Sequence, residues 1–254
     1  MNQRNWWGPF WPLGEALRFL TIIPLPGLPP PAEHAIARAI PWFPFAGAVI
    51  GTFLIGGGTA IGMLWSPEVR AVAIVVAWGV ITAGLHLDGL SDTFDGVLSW
   101  RSRERKLEIM RDSRIGAMGA LALIAVLLLK VALIAAAGDQ WWQIIVPAVV
   151  LGRWADVYGI VRFPAAREGG LGRNFQQQLR RGDFGFATFS TIALVLVGGV
   201  QGLIAMGCVW LAAELIGRWW VHDLGGLTGD TYGALCEIGE VVALAALIAV
   251  WQGG

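Results

Sequence analysis

The chain has 254 residues, of which 56% are hydrophobic and only 14% charged, with mean hydropathy +0.63. That is too apolar for an ordinary soluble domain and reads as an all-α, polytopic integral membrane protein. Lys+Arg and Asp+Glu number 18 each, so formal net charge is zero, which argues against nucleic acid as a partner and leaves local charge to be read segment by segment.

Met1 to Pro12 carries Arg4, Trp6, Trp7, Pro9 and Trp11 where a signal peptide would have a continuous apolar stretch and a small-residue cleavage site, so no removable signal is expected. Leu13 to Ile23 runs into Pro24-Leu-Pro-Gly-Leu-Pro-Pro-Pro31, whose prolines stop any helix. Residues 1–34 therefore read as an interfacial or re-entrant segment of one membrane-embedded catalytic domain spanning 1–254. Apolar spans follow at Ile40 to Trp65, Ala71 to Leu87, Ile115 to Ala137, Trp141 to Val161, Phe184 to Val197, Gly202 to Val221 and Leu235 to Trp251. They make about seven transmembrane helices, each near the ~20-residue requirement or somewhat short of it. The turn Gly198-Gly-Val-Gln-Gly202 divides the uncharged stretch Phe184 to Ala213 into two helices. Trp65, Trp100, Trp141, Trp142, Trp219, Trp220 and Trp251 sit near the ends of these runs, where interfacial anchoring is the expected use. Cys208 and Cys236 lack the spacing of a zinc or redox motif and read as packing residues.

Basic residues set the orientation. Arg101, Arg103, Arg105, Lys106, Arg111 and Arg114 crowd one loop, and Arg162, Arg167, Arg173, Arg180 and Arg181 another; both are expected in the cytoplasm, which places the protein in the cytoplasmic (inner) membrane with its chemistry on the inner side. Lys130 and Glu214 lie deep in apolar spans, where they either snorkel or pair.

The most informative segment is His86-Leu-Asp-Gly-Leu-Ser-Asp-Thr-Phe-Asp-Gly96. In a helix, Asp88, Asp92 and Asp95 fall on one stripe within roughly 60° of arc. Three anions beside hydrocarbon require neutralisation, and oxygen-only ligands favour a hard ion, Mg²⁺ or Mn²⁺, bridging to a substrate phosphate. A solvated helix start capped by Asp88 is the plainer reading. A second stretch, Leu227-Thr-Gly-Asp-Thr-Tyr-Gly233, echoes the first, and Glu237 and Glu240 keep within roughly 80° of Asp230 on a helical face.

Between them, the mixed-charge loop with Arg111, Asp112 and Arg114 enters a helix start at Gly116, a place suited to phosphate or simply to orientation. Arg153 either pairs with Asp156 or meets a substrate phosphate. His86 points off the aspartate stripe and reads as a hydrogen-bonded neighbour, with acid–base work open to it. Gly169 to Phe175 has the composition of a lid or a connecting loop.

The ordered set His86 to Gly96, Arg101-Ser-Arg-Glu-Arg105, Glu108 to Gly116, Glu168-Gly-Gly-Leu-Gly172, and Gly225 to Ala234 with Glu237 and Glu240 resembles the cobalamin-5′-phosphate synthase (adenosylcobinamide-GDP ribazoletransferase) family, from about Arg18 to Val250. Ser91 and Phe94 depart from the usual small residues without removing a carboxylate. The resemblance implies a membrane enzyme of late cobalamin biosynthesis that condenses adenosylcobinamide-GDP with α-ribazole 5′-phosphate, or α-ribazole, with Mg²⁺ and release of GMP; oligomerisation is left open. On this reading Asp88, Asp92 and Asp95 hold the metal, one of them or Asp230 takes the hydroxyl proton, and Glu237 and Glu240 hold a second ion or orient the acceptor. Arg111, Asp112, Arg114, Arg153 and His86 are the expected substrate contacts. A CDP-alcohol phosphotransferase would need an Asp-Gly-x-x-Ala-Arg start, which is absent, and a prenyltransferase denser aspartate motifs. A transporter, the reading from another class, would be expected to place its ionisable groups near the midplane.

Overall fold

The structure is a computed structural model that describes residues 7–30, 35–167 and 170–252. Arg4 and Trp6, residues 31–34, and Glu168 and Gly169 of the glycine motif lie outside the described residues. The helices are α1 (Trp11–Leu20), α2 (Ala35–Ala39), α3 (Phe43–Gly62), α4 (Pro67–Ile81), α5 (Leu85–Val97), α6 (Arg103–Ile109), α7 (Ala117–Ala136), α8 (Trp141–Arg162), α9 (Leu171–Gln178), α10 (Asp183–Leu196), α11 (Gln201–Leu224) and α12 (Gly229–Gln252).

α8 forms the core. Val149, Val150, Leu151, Ala155 and Val157 are fully buried on all its faces, enclosed by α3, α10, α11 and α12. Between helices in lipid, apolar burial drives little association, and close fit carries more of it. Gly47 and Gly51 of α3 supply that fit: a Cβ at either would sit 2.9 Å from α8 backbone, at the Val149 carbonyl oxygen and at Val146 Cα respectively. The outer faces of α4, α7 and α11 expose Val72, Val76, Leu121, Leu128, Leu211 and Leu215, the apolar belt of a polytopic membrane protein.

Among the described residues, 5 helical stretches are long and apolar enough to cross a membrane, or 6 when α4 and α5 are counted together. The expected crossing at Phe184 to Val197 corresponds to α10, whose 14 residues fall short of the ~20 needed. The glycine turn does separate it from α11, with Gly199 at φ 102°.

Ala71 to Leu87 is not one straight span. α4 and α5 meet at 89°. The Thr82 hydroxyl donates back to the Trp78 carbonyl at 3.0 Å, Ala83 and Gly84 take φ of 51° and 66°, and the Gly84 N–H bonds the Gly79 carbonyl at 2.8 Å. These left-handed residues end one helix and turn the next across the end of the bundle. The tryptophan expectation divides too: Trp65, Trp100, Trp142 and Trp219 are exposed, whereas Trp141 and Trp220 are core residues.

The segments around α6, the α8–α9 connection and the α11–α12 connection gather at one end. The Arg103 guanidinium donates to the carbonyls of Leu224 at 2.6 Å and Ala166 at 3.1 Å, Lys106 pairs with Asp223 at 2.5 Å, and Arg167 Nη2 donates to the Leu107 carbonyl at 2.7 Å. The glycine-rich motif is neither open lid nor plain loop over its described part. It forms α9, fastened by the Gln176 amide to the Ile160 and Phe163 carbonyls at 2.8 and 2.6 Å.

Candidate active site

The two echoing sequence stretches pack against each other. Gly89 of α5 faces the start of α12 so closely that a Cβ there would lie 2.7 Å from the Asp230 carbonyl oxygen, and a Cβ at Gly233 would lie 3.2 Å from His86 Cα. α12 begins with a reciprocal cap: Thr228 N–H donates to Thr231 Oγ1 at 2.7 Å, and Thr231 N–H to Thr228 Oγ1 at 3.3 Å, the capping-box arrangement with a threonine in place of the usual acid. Thr228 also donates its hydroxyl to Asp230 at 3.2 Å. The backbone contact and the cap bring Asp230 to the α5 stripe, where Asp88, Asp92, Asp95 and Asp230 are near enough to interact electrostatically.

The aspartates are not equivalent. Asp95 accepts the N–H of Gly116 at 2.7 Å and of Gly119 at 2.8 Å, so its charge meets the unsatisfied donors at the start of α7. Asp88 is exposed and Asp92 half-buried, with no protein donor among the described residues to compensate either.

Cations border the cluster from one side. Arg111 and Arg167 both lie within electrostatic reach of Asp230. Burial, together with the neighbouring Arg111, lowers the pKa of the Arg167 guanidinium, although an arginine remains charged. Arg114, an expected phosphate ligand, instead grips Asp112 through Nε at 2.9 Å and Nη2 at 2.5 Å, which holds the Asp112 carboxyl down at about 2. Both side chains of that pair are exposed to solvent.

The second acidic stripe differs from expectation. Glu237 and Glu240 lie roughly 10 and 15 Å deeper than Asp230 along α12, fully inside the bundle, where Lys130 of α7 pairs with Glu237 at 2.6 Å and also with Glu240. Arg153 pairs with Glu240 and not with Asp156. Their charges are thus met by protein cations, apart from the aspartate cluster. Asp156 instead faces His86, whose Nε2 is 3.3 Å from the carboxylate. Cys236 joins that pair in the one grouping of metal-ligating atoms within 4.8 Å among the described residues; an imidazole–carboxylate hydrogen bond accounts for it without an ion. Glu214, deep in α11, is met by Tyr158, Arg162 and Arg218.

Aspartates at a helix rim next to arginines recur in many enzymes, and comparison with known sequences narrows the choice. The family model for cobalamin-5-phosphate synthase matches residues 12–248. The chain belongs to that family. It is 71% identical to an adenosylcobinamide-GDP ribazoletransferase of Roseiflexus sp. (strain RS-1) across 96% of this chain and 91% of the relative. It is 49% identical to one of Herpetosiphon aurantiacus across 94% and 96%, and 38% identical to one of Pseudomonas syringae pv. syringae across 94% and 98%. No solved structure matches the chain.

In this cobalamin-5-phosphate synthase family member, the acidic side of the candidate site stands out in the sequence, and its basic side does so only in part. Arg167 counted in sequence only toward orientation, because nothing in its spacing sets it apart from Arg162 or Arg173. Asp156 stands out in the sequence only as a neighbour of Arg153. Gly116 and Gly119 also matter more than a helix start requires, since a Cβ at either would overlap the Asp95 carboxylate. Gly119→Ala is expected to push Asp95 off the end of α7, lowering unfolding free energy by about 1–3 kcal/mol and slowing turnover. Thermal unfolding in detergent alongside an activity assay reads both effects. An unchanged melting curve would show that the carboxylate moves aside freely.

Proposed function

We propose that this protein is an adenosylcobinamide-GDP ribazoletransferase of the cytoplasmic membrane, with the aspartate end facing the cytoplasm. It joins adenosylcobinamide-GDP to α-ribazole 5′-phosphate, or α-ribazole, and releases GMP. One observation carries the reading: α5 and α12 bring Asp88, Asp92, Asp95 and Asp230 together at one end of an apolar bundle, bordered by Arg111 and Arg167. The basic loops at that end support a cytoplasmic orientation.

In the reaction an acceptor hydroxyl forms a new bond to the phosphorus attached to cobinamide, the bridging P–O bond of the diphosphate breaks, and GMP carries away the leaving oxygen. Arg111 and Arg167 bind diphosphate oxygens, and the doubly charged group relieves the repulsion between the two guanidinium groups. Asp230, which joins the acidic and basic sides, is placed to take the hydroxyl proton. Asp95 fixes α5 against α7 and so holds the stripe in register. The donor set is all oxygen and is uncompensated at Asp88 and Asp92, which suits Mg²⁺ or Mn²⁺ held by one or two carboxylates together with substrate phosphate. When bound there, such an ion would supply charge neutralisation to the diphosphate.

Purified protein in liposomes, given both substrates and Mg²⁺, should form adenosylcobalamin 5′-phosphate and GMP in equal amounts, and chelation should stop it. No product under those conditions would refute the assignment. Arg167→Ala is expected to raise the donor KM about tenfold or more, as for a lost charge-assisted contact, with little effect on the acceptor KM. Steady-state kinetics with each substrate varied in turn checks this.

A further inference from the structure

Two cavities meet at Asp230. One, about 170 Å³, is lined by Arg167, Gly170, Thr228, Gly229 and Asp230 and has the character of a phosphate site. The other, about 140 Å³, shares Gly229 and Asp230 but is walled by Phe19, Phe43, Ile160 and Phe175 and reaches Asp88. No lysine or arginine lines it, so it offers nothing to a diphosphate, and its volume is far too small for a corrin ring.

Its walls have a definite form. Phe19 and Phe43 stack with centroids 6.0 Å apart and planes at 14°, and Phe175 stands edge-on to Phe19 at 6.4 Å and 88°. Flat aromatic ligands are favoured by such faces and edges. α9, held to the end of α8 by Gln176, carries Phe175 over the cavity. Tyr232, 3% exposed, also lines it, and its phenolic oxygen has no hydrogen-bond partner among the described residues. Gly172 of α9 lies close against that oxygen, where a Cβ would approach to 2.8 Å. A buried hydroxyl without an acceptor is unfavourable, and a ligand that supplies one removes the cost. A lipid chain would match the phenylalanines but leave the Tyr232 hydroxyl unanswered.

We infer that this cavity binds the planar azole base of the acceptor nucleoside, with Phe19, Phe43 and Phe175 as walls and the Tyr232 hydroxyl donating to the unsubstituted ring nitrogen. The inference rests on the transferase reading and adds the specificity determinants of its second substrate. Seated there, the base leaves the ribose side of the acceptor toward Asp88 and Asp230, while the diphosphate of the donor occupies the arginine side.

Tyr232→Phe removes one oxygen that has no protein partner among the described residues, so the fold should be retained. Equilibrium binding of α-ribazole 5′-phosphate without donor is expected to weaken about tenfold, the effect of one hydrogen bond. Binding of an analogue with an indole base, which lacks the ring nitrogen, should not change. Phe175→Leu should weaken both ligands, and neither variant should alter the donor KM. Equal weakening of azole and indole by Tyr232→Phe, or unchanged acceptor binding by both variants, overturns the inference. Wild-type protein that binds the azole nucleotide with this pattern yet forms no product would instead count against the transferase reading alone.

Discussion

Asp92→Asn is expected to lower turnover by roughly 10²–10⁴ while leaving the protein as stable as before or slightly more so. Asp92 is flanked on α5 by Asp88 four residues before and Asp95 three residues after, and Asp230 approaches from α12. Each like-charge pair at these helical spacings costs about 0.2–0.5 kcal/mol, so removing one member relieves about 0.4–1 kcal/mol. The same carboxylate, on the proposed reading, helps to hold the cation that offsets diphosphate charge. Activity and stability should therefore move in opposite directions, the pattern of a functional group held in an unfavourable setting. Asp95→Asn should behave differently: it weakens the cap on α7, so stability falls together with activity. Parallel GMP-release assays over a Mg²⁺ titration and thermal unfolding curves separate the two cases. Retention by Asp92→Asn of more than about a tenth of wild-type turnover would remove Asp92 from the catalytic centre.

That contrast shows how far sequence could reach. The spacing of Asp88, Asp92 and Asp95 determines that they share a helical face, because the 3.6-residue repeat leaves no other arrangement once α5 forms. It carries no information about what lies opposite. The N–H groups of Gly116 and Gly119 reach Asp95 across 21 and 24 residues of chain, and only the packing of α7 on α5 shows that this aspartate caps a helix. The same limit explains Glu237 and Glu240. Their register on α12 follows from their spacing, but their depth hides them from the aspartate cluster, and Lys130 comes from a helix more than 100 residues earlier. Hydropathy located the apolar spans yet missed the bend at Thr82 to Gly84, since a window average is blind to two left-handed residues. It also placed Trp141 and Trp220 at an interface, because periodicity cannot say which side of a helix another helix will cover.

Together these placements form a column of charge running into the bundle. Asp88 and Asp230 lie at the rim, and the His86–Asp156 pair lies beneath them, lining the same cavity. Deeper still, Arg153 and Lys130 meet Glu237 and Glu240. The outer group carries excess negative charge and is free to meet cations from solution. In the inner group, opposite charges balance, and ion pairs inside low-dielectric surroundings hold three helices, α7, α8 and α12, in one register, to which the His86–Asp156 pair ties α5. An acidic stripe on a short helix set at right angles to its predecessor needs such a rigid backing, because apolar contacts alone would let α5 slide.

Lys130→Met tests that backing and should be strongly destabilising. Lys130 is 2% exposed; its ammonium sits between Glu237 and Glu240 and lies 4.3 Å from the centroid of the Trp78 ring. Methionine fills most of the same volume, so the loss is chiefly one of charge. Two buried carboxylates would then share Arg153 alone, and leaving a buried charge uncompensated costs about 3–5 kcal/mol. Against a total stability of about 5–15 kcal/mol, many molecules would unfold or aggregate on extraction. Adding Glu237→Gln removes the unmatched charge, so Lys130→Met with Glu237→Gln should recover more than half of the lost stability. Arg105→Ala, which breaks the exposed pair with Glu108, should leave the melting curve unchanged, because solvent screens such pairs. Thermal unfolding of the variants in one detergent provides the comparison. A Lys130→Met melting point equal to that of the wild type would mean that the inner acids are neutral and that no ion pair holds the helices in register.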